Sequence, residues 1–137
     1  MSYQSPSVSG APVDNTVADW NETGTHATDG VTVTHAAEAG KSHYLCGITA
    51  SLEHNAGDNC EVFRVQILDG TDVIIQWGQA GHGSKGSLNG GGHEVIIFPH
   101  PIKITAGNKV DGKVVLVTTD PLSHSGNITC SIWGYTV

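Results

Sequence analysis

A chain of 137 residues with 38% hydrophobic content fits one domain with a modest core, and its 18 glycines and 14% charged residues weigh against long helices. The formal charge of −7 comes from six Lys and Arg against thirteen Asp and Glu, and the cations stand singly, so no basic stripe exists to displace counterions from phosphates and no nucleic acid is expected as a partner. No apolar run reaches the length of a membrane span, and "MSYQSPSVSGAPVDN" lacks the basic and apolar regions of a secretory signal, so a soluble product made in the cytosol is expected, with no membrane contact.

Residues 1 to 28 are rich in Ser, Pro, Gly, Thr and Asn with no apolar period, which predicts an extended N-terminal arm ahead of a β domain over 29–137. Alternation starts at "VTVTHAA" (31–37). "HYLCGITASLEH" (43–54) places Tyr44, Cys46, Ile48, Ala50 and Leu52 on one face, and "EVFRVQIL" (61–68) turns Phe63, Val65 and Ile67 inward. Asp69-Gly70 then supplies a hairpin turn into "DVIIQW" (72–77), with Val73, Ile75 and Trp77 in phase.

"GQAGHGSKGSLNGGG" (78–92) is too glycine-rich for regular structure and reads as an exposed loop. "HEVIIF" (93–98) is a strand that "PHP" (99–101) interrupts, because proline has no N–H for the ladder; "IKIT" resumes it, Phe98 packs inside, and His100 stays exposed beside the bend. "AGNK" turns the chain into "VDGKVVLVTT" (110–119), "DPLSHSG" is a loop, and "NITCSIWGYTV" (127–137) is the last strand. The sum is an all-β, antiparallel, jelly-roll-like β-sandwich of about eight strands.

No catalytic constellation emerges from these residues. The eight histidines include no His-x-His pair, so no metal ligand or cofactor is assigned, although His82, His93, His100 and His124 sit on separate segments that a fold can bring together. "GHGSKGS" (81–87) has neither the nucleophile-elbow nor the phosphate-loop spacing. Carboxylates such as Asp69, Asp72 and Asp120 lie in or beside turns, where Asp bonds the local backbone. Three cysteines without a CxxC spacing read as buried thiols at Cys46 and Cys130 and not as a disulfide or zinc framework. The chain is therefore not expected to be an enzyme.

The order of "GITASL", the hairpin "VQILDGTDVIIQW", "FPHPIKITAGNKV" and the final "ITCSIWGYTV" resembles the small jelly-roll, tumour-necrosis-factor-like decoration (cement) proteins of tailed bacteriophages, over roughly residues 40 to 137. The resemblance implies a virion structural protein, synthesised in the host cytoplasm and placed on the capsid surface, that works as a homotrimer and binds the major capsid protein. On this reading Tyr3, Pro6, Pro12 and Trp20 of the arm contact the shell, and Ile132, Trp133 and Tyr135 of the last strand, apolar on both phases, contact neighbouring copies. A phage tail or fibre component of the same fold, and a carbohydrate-binding module stacking sugars on Trp20 or Trp77, are the alternatives.

Overall fold

The computed structural model describes residues 18–26, 30–54, 62–80, 90–116 and 127–137. Its strands are β1 (Trp20–His26), β2 (Gly30–His35), β3 (His43–His54), β4 (Val62–Asp69), β5 (Asp72–Ala80), β6 (Gly90–Lys103), β7 (Val110–Leu116) and β8 (Ile128–Thr136). They form two antiparallel four-stranded sheets, ordered β1-β8-β3-β6 and β2-β7-β4-β5. Successive strands alternate between the sheets except at the β4–β5 hairpin, which is the jelly-roll arrangement of a β-sandwich.

The core is built from the inward phase of each strand. Phe63, Val65 and Ile67 of β4 are fully buried, as their alternation requires, and they face Ile48, Ala50 and Leu52 of β3 and Ile128, Cys130 and Ile132 of β8. Each fully buried Ile, Leu or Phe contributes about 2 kcal/mol by leaving water. The sheets approach most closely where β1 and β2 meet and where β2 and β7 cross β8. Gly112 of β7 faces inward at one such crossing, where a Cβ would sit 2.5 Å from Ile132 Cγ2 and 3.3 Å from Ile48 Cδ1.

Four departures from simple alternation have local causes. First, Trp20–His26, inside the segment read as an arm, is a strand: it pairs in register with β8, Trp20 opposite Gly134 and His26 opposite Ile128. Its polar residues hid it, because an edge strand needs only one apolar face, and here Gly24 leaves room for Val31 and Val33. Residues 1–17, with Tyr3, Pro6 and Pro12, lie outside the described residues.

Second, β3 carries a bulge at Cys46: Leu45 is opposite Gly134, whereas Gly47 is opposite Trp133. The extra residue inverts the phase, so Leu45 joins Ile48 in the core cluster while Tyr44 leaves it and Cys46 stays fully buried beside it. Tyr44 instead stacks on Tyr135, ring centroids 5.0 Å apart. Third, the β4–β5 register shifts between Ile67 and Leu68, where Ile67 meets Ile75 and Leu68 meets Val73. Val73 is thereby turned off the inward phase; with Ile74 and Ile75 it is exposed on an edge strand.

Fourth, β6 runs through "PHP" instead of stopping there. Leu45 pairs with Ile102 and Gly47 with Ile97, so Phe98, Pro99, His100 and Pro101 bulge opposite the single residue Cys46. β6 is the edge strand of its sheet, where prolines cost no ladder bond; Phe98 packs partly against the core and His100 is exposed. The segment shapes the edge of the scaffold. Strand structure also extends into the glycine-rich stretch, to Ala80 and from Gly90, while residues 81–89, including His82, lie outside the described residues.

One carboxylate fastens the hairpin turn to the β6–β7 connection. Asp69 Oδ2 accepts hydrogen bonds from the Thr105 amide at 2.9 Å and its hydroxyl at 2.6 Å, and Oδ1 accepts from Asn108 Nδ2 at 2.8 Å. Partial burial pushes the Asp69 carboxyl up, but these bonds to Thr105 and Asn108 outweigh it and hold the acid below its usual range. A depressed folded-state value stabilises the fold fully above the unfolded value near 4, and the contribution vanishes as pH falls through the lowered one. Asp69→Ala is expected to lose about 1–2 kcal/mol at pH 7 and progressively less as pH falls below about 4 in urea titrations. A loss that does not change with pH overturns this account.

Candidate functional site

Among the described residues, two places besides the exposed apolar edge of β5 hold side chains that the core does not account for: the outer face of the β1-β8-β3-β6 sheet, and a histidine cluster at one end of the sandwich.

The outer face follows from register alone. Asn21, Trp133, Gly47 and Ile97 lie in one row across the sheet; Thr23, Ser131, Thr49 and Val95 form the next, and Thr25, Thr129, Ser51 and His93 the third. The Trp133 ring covers Gly47, where a Cβ would come within 2.6 and 2.7 Å of ring carbons. Hydroxyls on β1 and β8 bond one another, Thr23 with Ser131 at 2.8 Å and Thr25 with Thr129 at 3.1 Å. Toward β6 the face becomes apolar, with Val95 51% and Ile97 60% exposed. The face as a whole is thus aromatic and apolar along the row of Trp133, Gly47 and Ile97 and hydroxylated along β1 and β8.

Of the three residues assigned to contact between copies, Trp133 and Tyr135 are on this outer side, Trp133 half-buried and Tyr135 buried against Tyr44. Ile132 points the opposite way and is fully buried in the chain's own core, so it offers no surface to a neighbour. Trp20 is also removed from the surface: it is 9% exposed, belongs to the core cluster and has His35 stacked on it. Trp77 packs against the core, which leaves neither Trp20 nor Trp77 as a free stacking platform for a sugar.

The histidine cluster is assembled by inward-phase residues at the start of β1, the end of β2 and the start of β3. His35 continues the phase of Val31 and Val33 and stacks on Trp20, centroids 4.2 Å apart and planes 10° from parallel. His43, fully buried, stands edge-on to His35 at 4.5 Å. His35 Nδ1–H donates to Glu22 Oε1 at 2.9 Å, which leaves Nε2 with a lone pair, and that buried atom has no hydrogen-bond partner. Glu38 Oε1 lies 3.9 Å from it. His43 Nε2–H donates to the Ala36 carbonyl at 2.8 Å, and its Nδ1 accepts from the Thr136 hydroxyl at 2.8 Å.

Sequence reasoning missed this cluster because it looked for histidines close together in the chain. The available signal was different: His35 and Glu22 are polar residues on the inward phase of their strands. Of the other histidines named from the sequence, His93 and His100 are exposed on β6 and do not join it, while His82 and His124 lie outside the described residues. Burial disfavours the thiolate at both described thiols: it pushes Cys130 up to about 12, and with the Asp19 charge it also raises Cys46. No protein-family model matches the chain, and no curated protein does either.

Proposed function

We propose that the chain is a structural protein of a virion, a decoration protein of the kind carried by tailed-bacteriophage capsids, which assembles as a homotrimer through the outer face of the β1-β8-β3-β6 sheet and binds the major capsid protein. The observation that carries the reading is the exposure of Val95 and Ile97 beside Trp133 on that face. Apolar side chains presented side by side on a sheet face are a contact surface, and closed symmetry would cover the patch and the β6 edge together. The jelly-roll strand order supports the same reading, in keeping with the resemblance of residues 40 to 137 to decoration proteins. With Trp20 committed to the core, contact with the shell falls to residues ahead of β1, Tyr3, Pro6 and Pro12 among them.

The test is solution mass by light scattering on the full chain. The native protein is expected at three times the chain mass of 14.3 kDa, and Ile97→Asp at one, with unchanged circular dichroism because Ile97 is outside the core. A native monomer, or an Ile97→Asp variant of undiminished mass, overturns the proposed interface.

A further inference from the structure

The arrangement of His35, Glu38 and His43 goes beyond surface contact. Each residue offers one ligand atom, and the three atoms lie within 4.8 Å of one another. We propose that these residues form a binding site for a zinc-class divalent cation, with two imidazole nitrogens and one carboxylate as protein ligands and the fourth position open to water.

Three features argue for a metal and against a merely packed histidine pair. The tautomer of His35 is fixed by Glu22, whose carboxylate can only accept, so the lone pair of Nε2 is directed into the cluster and meets no donor. A buried acceptor without a partner is costly, and a cation removes the cost. A carboxylate holding the far N–H of an imidazole is the usual support behind a metal-bound histidine, since it sets the ring's orientation and raises its basicity. The Trp20 stack fixes the plane of the same ring.

The second imidazole can supply its lone pair without an uncompensated proton. His43 Nδ1 faces Thr136 and Nε2 faces Ala36, on the connection that also carries Glu38, so Nε2 is the nitrogen directed to the cluster. The Thr136 hydroxyl both donates and accepts. When Nε2 binds the cation, the ring carries its proton on Nδ1 and donates it to Thr136, and the Ala36 carbonyl, on an exposed residue, turns to water.

Distances decide what must move. Bonds near 2 Å in a tetrahedral zinc centre place ligand atoms roughly 3.3 Å apart. The His35 Nε2 to Glu38 Oε1 separation of 3.9 Å therefore needs about half an ångström of closure and the full span of up to 4.8 Å needs up to about 1.5 Å, toward which Glu38, 51% exposed, is free to move. Two nitrogens and a carboxylate suit zinc, cobalt, nickel and copper better than magnesium or calcium, which prefer oxygen alone. The ion would join β2, the β2–β3 connection and the first residue of β3.

The experiment is calorimetric titration of chelator-treated full-length protein with zinc chloride, followed by a thermal melt with and without zinc. One equivalent per chain is expected to bind and to raise the melting temperature. Glu38→Gln, at an exposed position that leaves the fold intact, is expected to weaken binding at least tenfold, and Glu22→Gln to weaken it about 10- to 100-fold. His35→Gln should abolish it, and His100→Ala should leave it unchanged. Cobalt in place of zinc should give the visible absorption of a four-coordinate centre in the native chain and not in Glu38→Gln. Absence of saturable binding, or binding that Glu38→Gln leaves intact, overturns the site and assigns any zinc uptake to surface histidines.

Discussion

Replacing Gly134 by alanine is expected to unseat β1 and to lower the free energy of unfolding by about 3 kcal/mol or more. A Cβ at this position of β8 would run into the Tyr44 carbonyl oxygen and come within 2.6 and 2.8 Å of two carbons of the Trp20 ring. Neither obstacle can yield cheaply. The carbonyl belongs to the backbone of β3, and the Trp20 ring is held by its stack with His35. Gly134 also accepts the hydrogen bond that leads the chain into β1, from the Asp19 amide at 2.8 Å. Chemical denaturation followed by tryptophan fluorescence measures the effect. Gly78→Ala is the control, since a Cβ there meets nothing within 4 Å, and it should be neutral or slightly stabilising. Equal stability of the two variants would show that Trp20 is not docked on Gly134.

Gly112→Ala should destabilise the protein by about 2–3 kcal/mol through overpacking between the sheets. The added methyl meets Ile132 Cγ2 at 2.5 Å, with Cys130 Sγ and Ile48 Cδ1 both at 3.3 Å, all three on the opposite sheet. The diagnostic is the coupling with Ile132→Ala, which deletes the Cγ2 that the new methyl meets. Alone, that change empties part of a fully buried site and costs about 2–5 kcal/mol. Combined with Gly112→Ala it should recover part of the loss, so the double variant is more stable than the sum of the singles predicts. Strict additivity would mean that Ile132 does not pack against Gly112, and the inward placement of Ile132 would then be wrong.

The contrast between Ile132 and Trp133 shows how far the sequence could be read. Alternation identifies a strand that is apolar on both faces, but it cannot say which face meets the chain's own second sheet and which meets something else. The β4 phase was legible because Phe63, Val65 and Ile67 alternate with polar residues and no bulge intervenes. The β3 phase was half legible: Ile48, Ala50 and Leu52 hold it, whereas the bulge at Cys46 inverts everything before it. A bulge is set by the fit to both neighbouring strands, β8 and β6, and so leaves no mark in the strand's own pattern.

β1 escaped notice for a related reason. "WNETGTH" has one large apolar residue, and what makes it a strand is a groove beside β8 that accepts Trp20 over Gly134. The histidine cluster depends on the same long-range events. Glu22 is brought to His35 by the packing of β1 against β2, and His43 by the return of the chain into the other sheet. Glu22 is distant from His35 in sequence, whereas His35, Glu38 and His43 fall within residues 35 to 43; that spacing was present, but nothing in it shows that β2, the connection and β3 turn these side chains to one point.

The position of β8 between β1 and β3 has a consequence for how the molecule comes into being. During synthesis β1 emerges early, yet the strand it pairs with is the last of the eight, and β3 likewise waits for β8 on one side. Among the described strands, only the β4–β5 hairpin joins strands adjacent in sequence and can close as soon as it leaves the ribosome. A topology so dominated by distant pairings folds in the milliseconds-to-seconds range and not in microseconds. Until then the apolar faces of β1 and β3 lack their shared partner. The emergence of β8, long after β1 and β3, is therefore the event that commits the first sheet to its native order.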